Sequence, residues 1–183
     1  MFQGCGWELG SDLMVAYHNE RWCKPEHDDR ELFALLVLEG MQAGLSWQTV
    51  INKEAAFREA FHGFDPVRVA AFGEDDVARL MGDARIIRSE RKIRAAVSNA
   101  RAFLEVQRTF GSFDAYLWAF VDGCPVDHRL TTLADMPAKD ELSERVSKDL
   151  KRRGFSFVGP VIVYSYLQAA GLINDHLLTC SYR

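Results

Sequence analysis

Leu150-Lys151-Arg152-Arg153-Gly154-Phe155-Ser156-Phe157-Val158-Gly159-Pro160 is the stretch on which the reading of this 183-residue chain turns. Leu142, Val146 and Leu150 mark the apolar stripe of a helix that ends in basic residues. A short turn with glycine at both corners follows, and Pro160 can open the next, apolar helix. This is the pattern of a helix-hairpin-helix. Glycine lets a backbone come close to a phosphate, and the first turn of the second helix offers N–H groups without intrahelical partners. Lys148, Lys151, Arg152 and Arg153 would supply positive charge there. A plain corner between two helices, with a solvated basic end, fits the same residues. The cluster Arg85, Arg88, Arg91, Lys92 and Arg94 carries the same two readings.

Helical spacing extends outward from this corner. Asp28 or Asp29 can cap a helix from Arg30, with Leu32, Phe33, Leu35, Leu36 and Met41 inward and Gly44 ending it. Ser46 can cap the next, which carries Trp47, Val50, Ile51, Phe57 and Phe61. Asp65-Pro66 opens a short helix, 74–81 reads as another, and 89–108 is the longest periodic stretch. Segments 113–120 and 160–170 are also helical, while the region around Gly123, Pro125 and Pro137 has little periodicity. Strand-like alternation is almost absent, so the expectation is an all-α fold. The net charge of −4 argues against a strongly basic nucleic-acid binder, although phosphates respond to a local face rather than to the total. The opening MFQGCGWELG has neither the basic nor the apolar part of an export signal, which points to a reducing cytosol.

Two pairs of metal-type residues stand near the ends. Cys5 and His18 lie near the start; His176 and Cys180 lie four apart near the finish. Together they make a Cys2His2 set, a donor set for structural zinc. Two other readings fit the spacing: small buried thiols with satisfied histidines, or a Cys5–Cys180 disulfide, which a reducing compartment disfavours. Cys23 and Cys124 read as ordinary free thiols.

Glu39 follows the apolar run 35–38. A carboxylate buried there needs a partner or a purpose, because an unpaired buried charge is costly. The alternative is a glutamate that caps a neighbouring helix or faces water. Trp7, Tyr17 and Trp47 are each either core aromatics or walls for a flat ligand.

Taken together, Cys5-Gly6-Trp7, Ala16-Tyr17-His18, Glu20 to Trp22, Leu38 to Trp47, Phe64-Asp65-Pro66, Ile86-Ile87-Arg88, Arg153-Gly154-Phe155, Phe157-Val158-Gly159 and Gly171 to Asp175 with His176 and Cys180 form a larger pattern. It resembles the 3-methyladenine DNA glycosylase I family of the helix-hairpin-helix DNA glycosylase superfamily, from Cys5 to Cys180. The resemblance implies an all-α, monomeric bacterial enzyme of the cytoplasm that excises 3-methyladenine from double-stranded DNA without lyase activity. A non-catalytic binder of alkylated or bent DNA with the same fold is the alternative.

The resemblance further implies one structural Zn2+ on Cys5, His18, His176 and Cys180. It implies a base pocket of Glu39, Tyr17, Trp47 and Trp7, with Glu39 as the catalytic group. It also implies DNA contacts from Leu45, Gly154, Phe155, Val158, Gly159, Lys151 and Arg153. Residues 1–183 would be a single unit. Its metal-binding ends would be 1–25 and 170–183, its pocket helices about 30–61 and its helix-hairpin-helix about 142–170. Four positions depart from the family's usual pattern: Asn19 stands for aspartate, Cys23 and Arg85 for glycine, and Met14 for tyrosine.

Overall fold

Side-chain caps start most of the helices. Asp28 accepts from the N–H groups of Arg30 and Glu31 and starts α2 (Asp29–Gln42). Ser46 accepts from Thr49 N and starts α3 (Trp47–Ile51). Asp65 does the same for α5 (Pro66–Ala70), with proline in the first turn. The computed structural model describes residues 3–183. Its other helices are α1 (Asp12–Glu20), α4 (Glu54–Ala60), α6 (Glu74–Gly82), α7 (Glu90–Phe110), α8 (Phe113–Trp118), α9 (Glu141–Arg152) and α10 (Pro160–Ala169). The fold is all-α, as the spacing predicts, and no helix among the described residues is long and apolar enough to cross a membrane.

Helix α2 is the axis of the core. Every residue from Leu32 to Met41 is buried, so it is apolar all round except at Glu39. Helices α7, α8 and α10 pack on it. Helix α7 is one-sided, and its stripe of Ile93, Ala96, Val97, Ala100 and Phe103 faces inward. Phe33, Phe103 and Phe113 meet ring to ring, at 5.2 and 4.1 Å between centroids. A second, smaller apolar cluster gathers Cys5, Met14, Tyr17, Trp22, Cys23, Ile51 and Cys180, with Trp47 against both clusters.

Three features differ from the sequence expectation. The single helix expected over 46–61 is two, because Asn52 and Lys53 close α3 with tight backbone bonds to Gln48 and Val50. Helix α1, capped by Ser11, lies between the two N-terminal metal-type residues and carries His18 near its end. A short parallel pair joins β1 (Val126–Asp127) to β2 (Ile173–Asn174).

Gly171 locks the ends of the chain together. It has φ +74°, and a Cβ there would lie 2.3 Å from the carbonyl carbon and oxygen of Lys24. Around this approach, Cys23 N donates to Gln168 O and Glu26 N donates to Ala170 O. The segment after α1 is therefore fastened to the end of α10.

Candidate active site and metal centre

Where the two apolar clusters meet, a cavity of about 340 Å³ opens. Trp7, Tyr17, Trp22 and Trp47 supply aromatic walls, and Glu39, Gln42, Ser165 and Gln168 supply polar groups. Leu133 and Met136, from the irregular segment before α9, border it as well. The rings of Tyr17 and Trp47 are 5.1 Å apart, while Trp22 meets Trp7 edge to face at 4.9 Å.

Glu39 is 3% exposed, so the water-facing alternative does not hold. Its Oε2 has no hydrogen-bond partner, and burial pushes its carboxyl up to about 8. Trp7 Nε1 and Trp47 Nε1 are also buried without partners. Among the described residues these are the buried side-chain polar atoms left unpaired, and all three belong to residues that line this one cavity. Folded proteins pair nearly all such atoms, so three exceptions around one space mark a place where a ligand completes the bonding.

Beside this cavity, Cys5, His18, His176 and Cys180 bring their ligand atoms within 4.8 Å of one another, all buried. His176 Nδ1 lies 3.6 Å from Cys5 Sγ and 3.3 Å from Cys180 Sγ, and His18 Nε2 lies 3.8 Å from Cys180 Sγ. Metal bonds of about 2.0–2.3 Å at tetrahedral angles put ligand atoms roughly 3.3–3.8 Å apart. The outer nitrogens are already committed: His176 Nε2 faces the carbonyl of Trp22 at 3.1 Å, and His18 Nδ1 faces Asn19 Oδ1 at 2.7 Å. Carbonyl oxygens only accept, so each ring proton sits on the outside and each inner nitrogen presents a lone pair. Asn19 thus fills the outer position through its carbonyl oxygen. The set could hold one metal ion. Four protein ligands would leave no open position, so its part would be structural.

The hairpin between α9 and α10 is tightly fastened. Asn99 on α7 grips Ser156 twice, donating to its carbonyl at 2.9 Å and accepting from its N–H at 2.8 Å. Ser147 donates to Val158 O at 2.6 Å. Gly154 takes φ +92° and Gly159 precedes the first turn of α10. The side chains of Phe155 and Val158 are buried, which leaves only their backbone to meet a partner. Arg153 is half-buried: its Nε donates to Asp149 at 2.6 Å, and its guanidinium lies over Phe110 and Tyr116. Lys151, with Arg91 and Arg94 of α7, borders a second surface cavity along residues 155–159. Lys92 is spent otherwise, donating to the carbonyls of Met41 and Ala43 at the end of α2. Leu45, just past that end, is 42% exposed beside the pocket residues Gln42 and Trp47.

The family model for methyladenine glycosylases matches residues 7–183, the pocket and hairpin included. The chain belongs to the methyladenine glycosylase family. It is 48% identical over 176 residues to the DNA-3-methyladenine glycosylase 1 of Escherichia coli (strain K12), covering 96% of this chain and 94% of that one. A crystal structure of a 3-methyladenine DNA glycosylase I superposes with a TM-score of 0.95 at 46% identity, over 98% of both chains. A Staphylococcus aureus 3-methyladenine DNA glycosylase I, solved for its recognition of 3-methyladenine, gives a TM-score of 0.95 at 38% identity, over 98% of this chain and 95% of that one.

The cavity and the hairpin also gather residues that the sequence reading did not place as site residues. Trp22 is a pocket wall rather than only part of a motif. Gln168 lines the pocket and is tied to the buried Asp175, which also receives Tyr164 and His128. Asn99 clamps the hairpin from a distant helix. An uncharged polar residue inside an apolar run, as Gln168 is in α10, was the one available signal.

Proposed function

We propose that the chain is a monofunctional DNA-3-methyladenine glycosylase I that hydrolyses the N-glycosidic bond of 3-methyladenine in double-stranded DNA. It would release the free base and leave an abasic site. The observation that carries this reading is the aromatic cavity with its three unpartnered buried polar atoms. The named relatives of this family act in support.

The target base must leave the helix stack and enter a pocket with flat walls. Trp7, Tyr17, Trp22 and Trp47 supply them. A purine methylated at N3 in DNA is cationic, so aromatic faces attract it. Glu39, whose carboxyl burial pushes up to about 8, releases its proton to solvent when that cation arrives beside it. As an acceptor it suits the exocyclic amino group of adenine and repels O6 of guanine. Bond cleavage leaves the electron pair on N9, so the base departs neutral while positive charge passes to the sugar. Water adds at that carbon and releases its proton to solvent. Residues 161–170, which follow the hairpin, contain no acid, so the acceleration comes from binding, distortion and electrostatics, with Glu39 the catalytic group through its contact with the cationic base.

The hairpin backbone at Gly154, Phe155, Val158 and Gly159, with Lys151, holds the DNA backbone in this reading. Arg153, part-exposed at the corner, meets the DNA backbone beside it while its pairing with Asp149 braces the hairpin. Leu45 fills the gap left by the extruded base; Leu45→Ala with unchanged excision and DNA affinity would count against that. Cys5, His18, His176 and Cys180 hold one structural Zn2+, which fastens Trp7 and Tyr17 in place through their neighbours in sequence. The protein acts as a monomer in the bacterial cytoplasm. Residues 1–183 serve as one unit, with metal-binding ends at 1–25 and 170–183. The deciding assay is release of free 3-methyladenine from methylated duplex by the purified protein; no release with DNA binding intact would sink the enzyme reading.

A further inference from the structure

Gln168 is 6% exposed on α10 and lines the same cavity as Glu39 on α2. Its side-chain amide is oriented. Nε2 donates to Asp175 Oδ2 at 2.7 Å, and it also lies 3.4 Å from Met136 Sδ, an acceptor. Asp175 is fully buried and accepts from Tyr164 OH and from His128 Nδ1 at 2.7 Å. A carboxylate so surrounded by donors has room only for the nitrogen end of a neighbouring amide. Both N–H bonds of Gln168 therefore point at Asp175 and Met136, and what remains to offer is the carbonyl oxygen. Its backbone is fixed too, since its own carbonyl accepts from Cys23 N at 2.9 Å.

We propose that Gln168 is a specificity-determining residue of the pocket, whose side-chain oxygen accepts a hydrogen bond from the exocyclic amino group of the bound purine. The inference rests on the base-pocket reading and adds a second acceptor to it. An amino group carries two N–H bonds, and Glu39 and Gln168 supply one acceptor each from two different helices. The two acceptors differ in kind. Glu39 can change its charge, so it responds to a cation; Gln168 cannot, so it reads hydrogen-bond polarity alone. A purine with oxygen at C6 would set an acceptor against the Gln168 acceptor, and Asp175 prevents the amide from turning over to relieve it.

The test compares 3-methyladenine with 3-methylhypoxanthine, which differs by oxygen in place of the amino group at C6. Both are titrated into the wild-type protein and into Gln168→Met, a substitution of similar volume, by calorimetry and by quenching of the pocket tryptophans. The expected result is that Gln168→Met loses about tenfold in affinity for 3-methyladenine and keeps or gains affinity for 3-methylhypoxanthine, whose O6 no longer faces an acceptor, so the preference shrinks. A residue that only braces Asp175 would weaken both ligands alike, and an unchanged ratio would overturn the proposal while leaving the pocket in place. Wild-type protein that binds neither base would overturn the pocket reading and this one together. If Gln168→Met does not fold, the side-chain amide resonances of Gln168 in the wild-type protein report the same contact. 3-Methyladenine at saturation is expected to shift them, and no shift overturns the inference.

Discussion

In the pocket, Trp7 Nε1, Trp47 Nε1 and Glu39 Oε2 are buried without partners. In the hairpin, Asn99 holds Ser156 by both of its backbone groups, Ser147 holds Val158, and Asp149 holds Arg153. One region leaves bonding capacity open inside the protein, and the other spends it to fix a backbone. On the proposed function, the difference follows from what each would bind. A single base can be enclosed and can complete buried bonds, so unpaired atoms are tolerable where it arrives. A sugar-phosphate backbone stays at the surface, so the hairpin needs a rigid outline more than reactive groups. Substitutions on the two sides should therefore separate: pocket changes alter base affinity, hairpin changes alter DNA affinity.

The largest effect should come from the metal-type cluster, because it supports the pocket walls and not the hairpin. If the cluster holds an ion, as proposed, removing it with a chelator, or Cys180→Ser, should cost on the order of 5 kcal/mol in stability, since binding energy at such a site is folding energy. Near-ultraviolet circular dichroism should lose the signal of the packed tryptophans first, since Trp7 and Trp22 pack on His18 and His176. A thermal midpoint unmoved by the chelator would show that the four residues hold without an ion.

Next comes Glu39→Gln, which should keep the fold yet lower excision by roughly a hundredfold or more, as for loss of one electrostatic group in an active site. It carries a second signature. The carboxyl holds its proton up to about pH 8 in the folded protein, whereas the unfolded chain releases it in the usual carboxylate range. Folding then takes up a proton between about pH 4.5 and 8, so stability falls as pH rises through that window. The slope approaches roughly 1.4 kcal/mol per pH unit at most, and Glu39→Gln should remove it. Denaturant melts at pH 5 and pH 8 with equal wild-type-to-variant differences would break this account.

Asn99→Ala tests the other side of the comparison. It leaves the N–H and carbonyl of Ser156 without their partners, which should cost about 1–3 kcal/mol. Duplex affinity should fall with it, while affinity for free 3-methyladenine stays within about twofold, a change below roughly 0.4 kcal/mol. Equal losses in both would mean that the hairpin and the pocket are one coupled unit and that the contrast drawn between them is wrong.

How much of this could be read in the sequence depends on how local its cause is. The caps at Asp28, Ser46 and Asp65 use residues two or three positions away, and they fall where spacing puts them. The Gly154–Gly159 corner is equally local. The β1–β2 pair is two residues long on each side, too short to show alternation. Arg153 and Lys92 show their charge in the sequence but not their partners, Asp149 and the end of α2, which only the packing supplies. Glu39 is the same case in reverse: its segment left burial undecided, and α7, α8 and α10 closing around α2 decide it. Gln168 and Asn99 were missed because a lone amide in a helix has no periodicity of its own.

The smallest expected effect is the most selective. Lys151 is exposed at the hairpin's edge, near the cavity it shares with Arg91 and Arg94. Arg94 is paired with Glu74 and Glu90, and Arg91 lies over the Phe157 ring, so among the described residues Lys151 is the cation there without an ion-pair or ring partner. If it meets a phosphate, Lys151→Ala should remove about one counterion from the salt dependence of duplex binding and weaken that binding a few-fold at moderate salt. The loss should be the same on methylated and unmethylated duplex, because a phosphate contact carries no information about the base. Stability should change by less than about 0.5 kcal/mol, as for an exposed side chain. A loss confined to methylated duplex would instead tie the hairpin to base recognition, and the division of labour between a pocket with open bonds and a corner with closed ones would have to be redrawn.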